Sequence, residues 1–240
     1  LAFQIAEKNL GKTKLNPSVG AIVVKNNTII SSGVTSVNGK PHAEYNALNK
    51  SNNFQGASLY TTLEPCTHYG ESPPCVNIIK EKGIKNVYYG FEDPDIRTFK
   101  KAKNILKRNK IKSQLIKSIN FKNFYKSYFI NKKFNLPFIS AKIAISKDYY
   151  SINKKSKWIT NRHSKKITHL LRSKYDCIFS TSKSINKDNS LLNCRIEGLN
   201  SLKPDLFIID LDLKLKKKLS IVNMANKRKI FLITNKKNEK

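Results

Sequence analysis

Two short strings hold the side chains best suited to chemistry: Pro41-His42-Ala43-Glu44, and Glu64-Pro65-Cys66-Thr67-His68-Tyr69-Gly70-Glu71-Ser72-Pro73-Pro74-Cys75. Replacing an aromatic amine with oxygen at neutral pH needs a strong nucleophile and a proton for the departing nitrogen. Zinc held by three protein ligands keeps a fourth position for water and lowers the pKa of that water to about 7. A neighbouring carboxylate that is not a ligand can take the water's proton and pass it to the ring and the amine. The two strings supply such a set: His42, Cys66 and Cys75 as ligands of one Zn2+ per chain, and Glu44 as the catalytic proton carrier. One helical turn can carry both His42 and Glu44. Each cysteine falls near an expected helix start, where the helix dipole favours thiolate. A lone His-x-Glu is explained as readily by a hydrogen-bonded core histidine. The Glu-Pro-Cys string downstream of His-Ala-Glu is what makes the pattern specific.

The surrounding sequence alternates helix and strand signals, as an α/β chain does. An amphipathic helix is predicted over 1–10, ended by Gly11. Apolar runs at 19–24 and 28–33, joined by Asn26-Asn27, predict a hairpin. Pro41 suits the first turn of a helix, with His42 and Glu44 just inside it and Ala47-Leu48 on its apolar face. A strand follows over 57–63, then a helix over 75–82 stopped by Gly83. A strand over 86–91, a basic helix over 98–109 and a strand over 111–116 complete this half. The segment 120–135 is basic and aromatic, with Phe121, Phe124, Tyr125, Tyr128, Phe129 and Phe134. Its spacing favours a helix with a buried aromatic face over a nucleic-acid stacking surface. A second α/β run begins at Pro137, with strands over 138–145, 177–180, 206–211 and 230–234 and a basic helix over 162–174. The expected division is a first domain over 1–120, a joining helix over 121–136 and a second domain over 137–240.

Composition restricts the function classes. A chain of 240 residues with 39% hydrophobic content can bury a substantial core. The net charge of +30 would suit a polyanionic partner, but lysines spread over both halves read as compositional bias. No specific nucleic-acid partner is therefore expected. No apolar run approaches a bilayer's thickness, so no membrane partner is expected either. The first residues lack a basic run, which argues against a signal peptide and for a cytoplasmic protein. In that setting four cysteines suggest a metal site rather than disulfides. Cys177 opens an apolar run and reads as a buried small hydrophobe, and Cys194 carries no metal role.

His-x-Glu followed by Pro-Cys and a further cysteine is the pattern of zinc deaminases. Deaminases of nucleic acids and of cytidine usually have two residues between the cysteines, whereas this chain has eight, including His68 and Pro73-Pro74. That insert, with Asn16-Pro17-Ser18-Val19-Gly20, Gly39-Lys40-Pro41 and Asp93-Pro94, resembles the bifunctional riboflavin-biosynthesis deaminase/reductase family. In the second half Ser156-Lys157-Trp158-Ile159-Thr160, Leu171-Arg172 and the stretch 188–195 are similar to the opening motifs of that family's reductase domain. The resemblance implies a cytidine-deaminase-like three-layer α/β/α domain followed by an incomplete dihydrofolate-reductase-like α/β domain. It implies hydrolytic deamination of a diaminohydroxy-phosphoribosylaminopyrimidine, a small-molecule substrate, to 5-amino-6-(5-phosphoribosylamino)uracil. An NADPH-dependent reduction of the ribosyl group follows in the family. Asn16 and His68 match positions lining the pyrimidine pocket, and an amide such as Asn16 can both donate to and accept from a heterocycle edge. Ser156, Arg172, Leu192 and Arg195 match substrate positions of the reductase, and the two arginines suit a sugar phosphate. Ala144, Trp158, Ser184 and Asp188 match its cofactor positions.

The chain departs from the family pattern at several sites. Thr35 stands where the family usually has histidine and Glu71 where it has a basic residue. Lys100 and Ala102 replace glycines, as does Tyr149 after Asp148. The sequence stops at Lys240, before the family's glycine-rich cofactor segment, so weak NADPH binding and an unfinished second sheet are expected. An unfinished sheet has an open edge, which leaves a homo-oligomer as an open alternative. Two other functions stay in view: a tRNA or polynucleotide base deaminase, and a decayed fragment that holds zinc structurally.

Overall fold

Asn26 and Asn27 both take left-handed backbone (φ 48° and 58°), which asparagine tolerates better than most residues. They turn β1 (Gly20–Lys25) back into β2 (Thr28–Val34), and the two strands pair antiparallel. This hairpin opens the sheet of the computed structural model, which describes residues 1–117, 119–151, 159–200 and 203–236. β3 (Ser58–Thr61) lies on the other side of β1, antiparallel to it. β4 (Asn86–Tyr89) and β5 (Lys112–Leu115) then add in parallel, giving the order β2-β1-β3-β4-β5. Parallel neighbours require crossovers. They are supplied by α3 (Cys75–Glu81) and α4 (Ala102–Arg108).

Two glycines record which helix covers which face. A Cβ on Gly33 would strike the backbone of α2 (Ala43–Leu48) at 2.3 Å, and one on Gly20 would strike that of α1 (Ala2–Glu7) at 2.0 Å. Gly33 pairs with Ala21 while Gly20 pairs with Val34, so the glycines point to opposite faces. α1 and α2 therefore sandwich the sheet, and α3 and α4 follow α2 along its face. Ala21, Val23, Leu59 and Val87 from the strands, with Ala47, Leu48 and Ile79 from the helices, are fully buried between the layers.

The aromatic segment 121–136 forms a helix only over α5 (Lys126–Phe134). Its rings are structural. Phe121 and Phe124 pack on Phe3 of α1, while Tyr125 and Phe129 pack edge-on against Phe91. The buried Tyr125 hydroxyl donates to the Ser18 carbonyl (3.0 Å) and shares a 2.6 Å hydrogen bond with Thr62 Oγ1. α5 thus belongs to the first of two compact units, Leu1–Ser140, and the second covers Ala141–Lys240.

In the second unit α6 (Arg162–Arg172) is capped by Asn161, which accepts the Ser164 N–H at 2.8 Å. β6 (Cys177–Thr181), β7 (Asp205–Ile209) and β8 (Ile230–Ile233) form a parallel sheet. α7 (Ser182–Asp188) packs Ile185 against Leu206 and Ile208. The strand expected over 138–145 does not form. An extended segment becomes a strand only when its N–H and C=O groups find a ladder, and this one pairs with neither sheet. Its Ile139 and Ile143 are 82% and 70% exposed. Cys177 is half-buried rather than buried, and Cys194 is buried. Among the described residues no helix is long and apolar enough to cross a membrane.

Tyr125→Phe removes a buried hydroxyl and leaves its partners unsatisfied. The expected outcome is a loss of about 1–3 kcal/mol in urea-induced unfolding, with the fold retained.

Candidate active site

His42, Glu44, Cys66 and Cys75 reach one point because three element ends meet there. His42 is the N-cap of α2, with Glu44 the second residue inside the helix, so Pro41 precedes the helix rather than opening it. Cys75 is the first residue of α3. Cys66 lies in the loop after β3 and not at a helix start. It is nonetheless tied to one, since its sulfur accepts the Cys75 N–H (3.2 Å) and its carbonyl accepts the Val76 N–H (3.3 Å).

His42 Nδ1 stands 3.5 Å from Cys66 Sγ and 3.4 Å from Cys75 Sγ, and the three atoms form a cluster able to hold a metal ion. A tetrahedral zinc with Zn–S of about 2.3 Å and Zn–N of about 2.0 Å places N and S about 3.5 Å apart, so the donor set fits. Hydrogen bonding from Cys75 and from His42 holds the Cys66 thiol well down, as a metal-ligating thiolate requires. Hydrogen bonding to Cys66, together with burial, pushes Cys75 up in turn. Glu44 is buried with Oε2 3.5 Å from Cys75 Sγ, and burial raises its carboxyl to about 7.

A cavity of about 380 Å³ opens from this cluster. Asn16 and His68 both line it. Asn16 Nδ2 donates to the Gly39 carbonyl (3.1 Å), which steadies the turn before Pro41. His68 Nδ1 lies 3.2 Å from Thr98 Oγ1. Thr35 also lines the cavity, but its hydroxyl accepts the Val19 N–H (2.9 Å) and so serves the backbone. Glu71 is 85% exposed at the rim and pairs with Lys40 at 2.8 Å. Lys100 and Tyr149, which stand in place of family glycines, both hold left-handed backbone (φ 56° and 65°). Side chains other than glycine sit there at a cost of about 1–2 kcal/mol. The chain keeps the conformation without the residue that best suits it.

Several side chains at and behind the cavity escaped sequence reasoning. Glu64 is buried and accepts three backbone N–H groups, from Asp93 (3.2 Å), Lys100 (3.1 Å) and Ala102 (3.2 Å). Asp93 takes the Tyr128 hydroxyl at 2.9 Å and the Asp95 N–H at 2.9 Å. Asp95 takes Arg97 at 2.6 Å and Lys132 of α5 at 3.1 Å. Asp93, Asp95, Arg97, Tyr128 and Lys132 all line the cavity. Their signal was the string Asp93-Pro94-Asp95, whose partner α5 lies too far along the chain for local reasoning to reach.

In the second unit the structure brings Arg172 and Arg195 together around His169. Arg172 Nη1 donates to the Asn193 carbonyl (3.1 Å), His169 Nδ1 lies 2.9 Å from the same carbonyl, and Arg195 Nη2 lies 3.3 Å from His169 Nε2. Leu192 holds left-handed backbone (φ 49°), and its carbonyl accepts buried Arg228 at 3.1 Å. Arg228 also donates to the carbonyls of Leu191 and Pro204. Ser184 and Asp188 are four residues apart on α7 and so share a face. Ala144 lies on the unpaired stretch before Ser146, and no hydrogen bond joins it to either. Ser156 and Trp158 fall outside the described residues.

Comparison with known proteins gives two family matches. Residues 1–91 match the cytidine and deoxycytidylate deaminase zinc-binding region, and residues 137–240 match the RibD C-terminal domain. The riboflavin biosynthesis protein RibD of Aquifex aeolicus is 33% identical over 244 residues, covering 100% of this chain and 68% of that protein. The Buchnera aphidicola RibD is 36% identical over 204 residues, covering 81% of this chain and 53% of its own length. The chain thus spans between about half and two thirds of these relatives. Among solved structures, a diaminohydroxyphosphoribosylaminopyrimidine deaminase/5-amino-6-(5-phosphoribosylamino)uracil reductase of Thermotoga maritima superposes with a TM-score of 0.86 at 30% identity. It covers 99% of this chain and 68% of that one. An Acinetobacter baumannii RibD superposes with a TM-score of 0.85 at 26% identity, with coverage of 98% and 68%.

The rim acids give a testable pH dependence. Arg97 and Lys132 hold the Asp95 carboxyl well below its ordinary 3.8. A depressed carboxyl contributes stability above its unfolded pKa and loses it as pH falls through the folded value. Asp95→Asn is therefore expected to be less stable than the wild type at pH 7. The gap in thermal midpoint should close progressively below about pH 4. A gap that stays constant down to acid unfolding would show that Asp95 acts through shape, not charge.

Proposed function

The chain belongs to the RibD family of bifunctional riboflavin-biosynthesis proteins, and we propose that its first unit hydrolytically deaminates a diaminohydroxy-phosphoribosylaminopyrimidine to 5-amino-6-(5-phosphoribosylamino)uracil with release of ammonia. The observation that carries this is the convergence of His42 Nδ1 and the two cysteine sulfurs beside the buried Glu44 carboxyl. His42, Cys66 and Cys75 would hold one zinc ion. When bound, zinc activates water as a nucleophile at neutral pH. Glu44 is not among the three clustered donors and has a carboxyl near neutrality, so it can both take up a proton and return it to the departing nitrogen. Asn16 and His68, on the cavity wall, would orient the heterocycle through its polar edge. The functional deaminase domain extends through α5, because Tyr128 and Lys132 form part of that wall.

The second unit is assigned the reductase part of the pathway, with NADPH as cofactor, on family membership. Arg172 and Arg195, held together at His169, are the residues suited to a substrate phosphate there.

The deciding experiment is ammonia release from the diaminohydroxy-phosphoribosylaminopyrimidine with zinc content measured in parallel. Glu44→Ala should lower the rate by about 100-fold or more while zinc stays bound. Cys75→Ala should lose both zinc and activity. A folded, zinc-loaded wild type that releases no ammonia would overturn the assignment.

A further inference from the structure

His68 and Thr98 meet behind the cavity wall from two loops, one after β3 and one after β4. They form one of two adjacent rungs. Thr67 Oγ1 donates to the Arg97 carbonyl at 2.9 Å, and the next residue on each side joins the other, His68 Nδ1 to Thr98 Oγ1 at 3.2 Å. Thr98 is anchored along its own loop. Its N–H donates to the Asp95 carbonyl (2.8 Å), and its carbonyl accepts the Lys101 N–H (2.8 Å). Just beyond it, Glu64 accepts the N–H groups of Lys100 and Ala102.

The burial of Thr98 decides which partner gives the shared proton. A neutral imidazole has one N–H and one bare nitrogen, and a threonine hydroxyl can donate or accept. Thr98 is 0% exposed, and among the described residues its hydroxyl has no hydrogen-bond partner other than His68. If His68 Nδ1 gave the proton, the hydroxyl hydrogen would be stranded inside the protein, a penalty native structures avoid. If Thr98 gives it, only oxygen lone pairs are left over, and these go unsatisfied more often than donors do. Nδ1 is then the bare nitrogen, and Nε2 carries the hydrogen. His68 is half-buried on the cavity wall, and no described residue takes its Nε2.

We propose that Thr98 is a positioning residue for the deamination: its hydroxyl donates to His68 Nδ1 and so presents Nε2–H to the cavity as a fixed donor. The inference rests on the deaminase assignment above and supplies a reason for His68 to select among heterocycles. A donor at that point pairs with an oxo group or a bare ring nitrogen and rejects an amino group, which sets hydrogen against hydrogen. The hydroxy group of the proposed pyrimidine, in its oxo form, offers such an acceptor. Thr98 does not line the cavity and acts only through the ring.

Nitrogen-15 NMR of the histidine side chains, in the zinc-loaded full chain with imidazoles neutral, reads the proton directly. His68→Gln identifies the His68 signals. The expected result is a protonated Nε2 and a bare Nδ1 shifted by a hydrogen bond, and Thr98→Val should move Nδ1 to the position of a free acceptor. A protonated Nδ1 in the wild type would overturn the proposal. In the ammonia-release assay, Thr98→Val keeps the shape and removes the hydroxyl. It should raise KM for the pyrimidine by about three- to tenfold, with kcat changed less and zinc retained, and Thr98→Ser should restore it. In a His68→Gln background, Thr98→Val should add no further loss. Equal losses in both backgrounds would show that Thr98 only supports the fold, and the proposal would fall. If the wild type releases no ammonia, the deaminase assignment falls and the NMR measurement decides the Thr98–His68 contact alone.

Discussion

One buried carboxylate holds the deaminase unit's working end together. Glu64 follows β3 and accepts N–H groups at Asp93, Lys100 and Ala102, which bind the loop after β4 and the start of α4 to the strand that leads into Cys66. β3 is antiparallel to β1 and parallel to β4, so the sheet changes sense at this strand. Loops from the carboxyl ends of β3 and β4 diverge into a crevice at such a place. Left alone, they would expose unsatisfied backbone. Glu64 closes that gap from inside, and the loop that carries Cys66 and the rim loop become one piece. The residues that do chemistry are then spaced by the sheet and not by the flexibility of their own loops.

The same economy runs through the charges. The chain as a whole carries +30, yet the cavity floor is acidic and its acids are buried. Burial raises the carboxyls of Glu44, Glu64 and Asp93, and a divalent cation at His42, Cys66 and Cys75 would bring positive charge to that end of the cavity. Positive charge reappears only at the rim, where Arg97 and Lys132 are organised by Asp95. The bulk lysine excess says little about the site, because screened surface charges act over a Debye length, whereas the cavity charges act at contact.

What could be read directly from the residues was whatever depends on near neighbours. The Asn26-Asn27 turn, the apolar run of β1 and the His42–Glu44 string each state their structure within a few residues. Glu64 was invisible because a buried glutamate looks like any other until the N–H groups around it are known. α7 has one buried apolar residue, Ile185, so it shows no hydrophobic period, and only the Thr181 cap marks it. The apolar run 138–145 reads as a strand because strand propensity is local while strand pairing is not. Arg228 is the most instructive omission. A buried arginine bracing the carbonyls of Leu191, Leu192 and Pro204 has no sequence signature, yet it supports the backbone that carries Leu192 and leads to Arg195.

The reach of α5 bears on how this protein can be taken apart. Its aromatic residues fill the outer layer behind β1 and β3, Tyr125 bridges Ser18 and Thr62, and Lys132 stands at the cavity mouth. The zinc-binding match ends at residue 91, and the last strand of the sheet ends at Leu115. A gene fragment cut at either point would keep His42, Cys66 and Cys75 and still lack one wall of the cavity that opens from them. The smallest piece that keeps the whole cavity includes the helix that looks, on paper, like a connector.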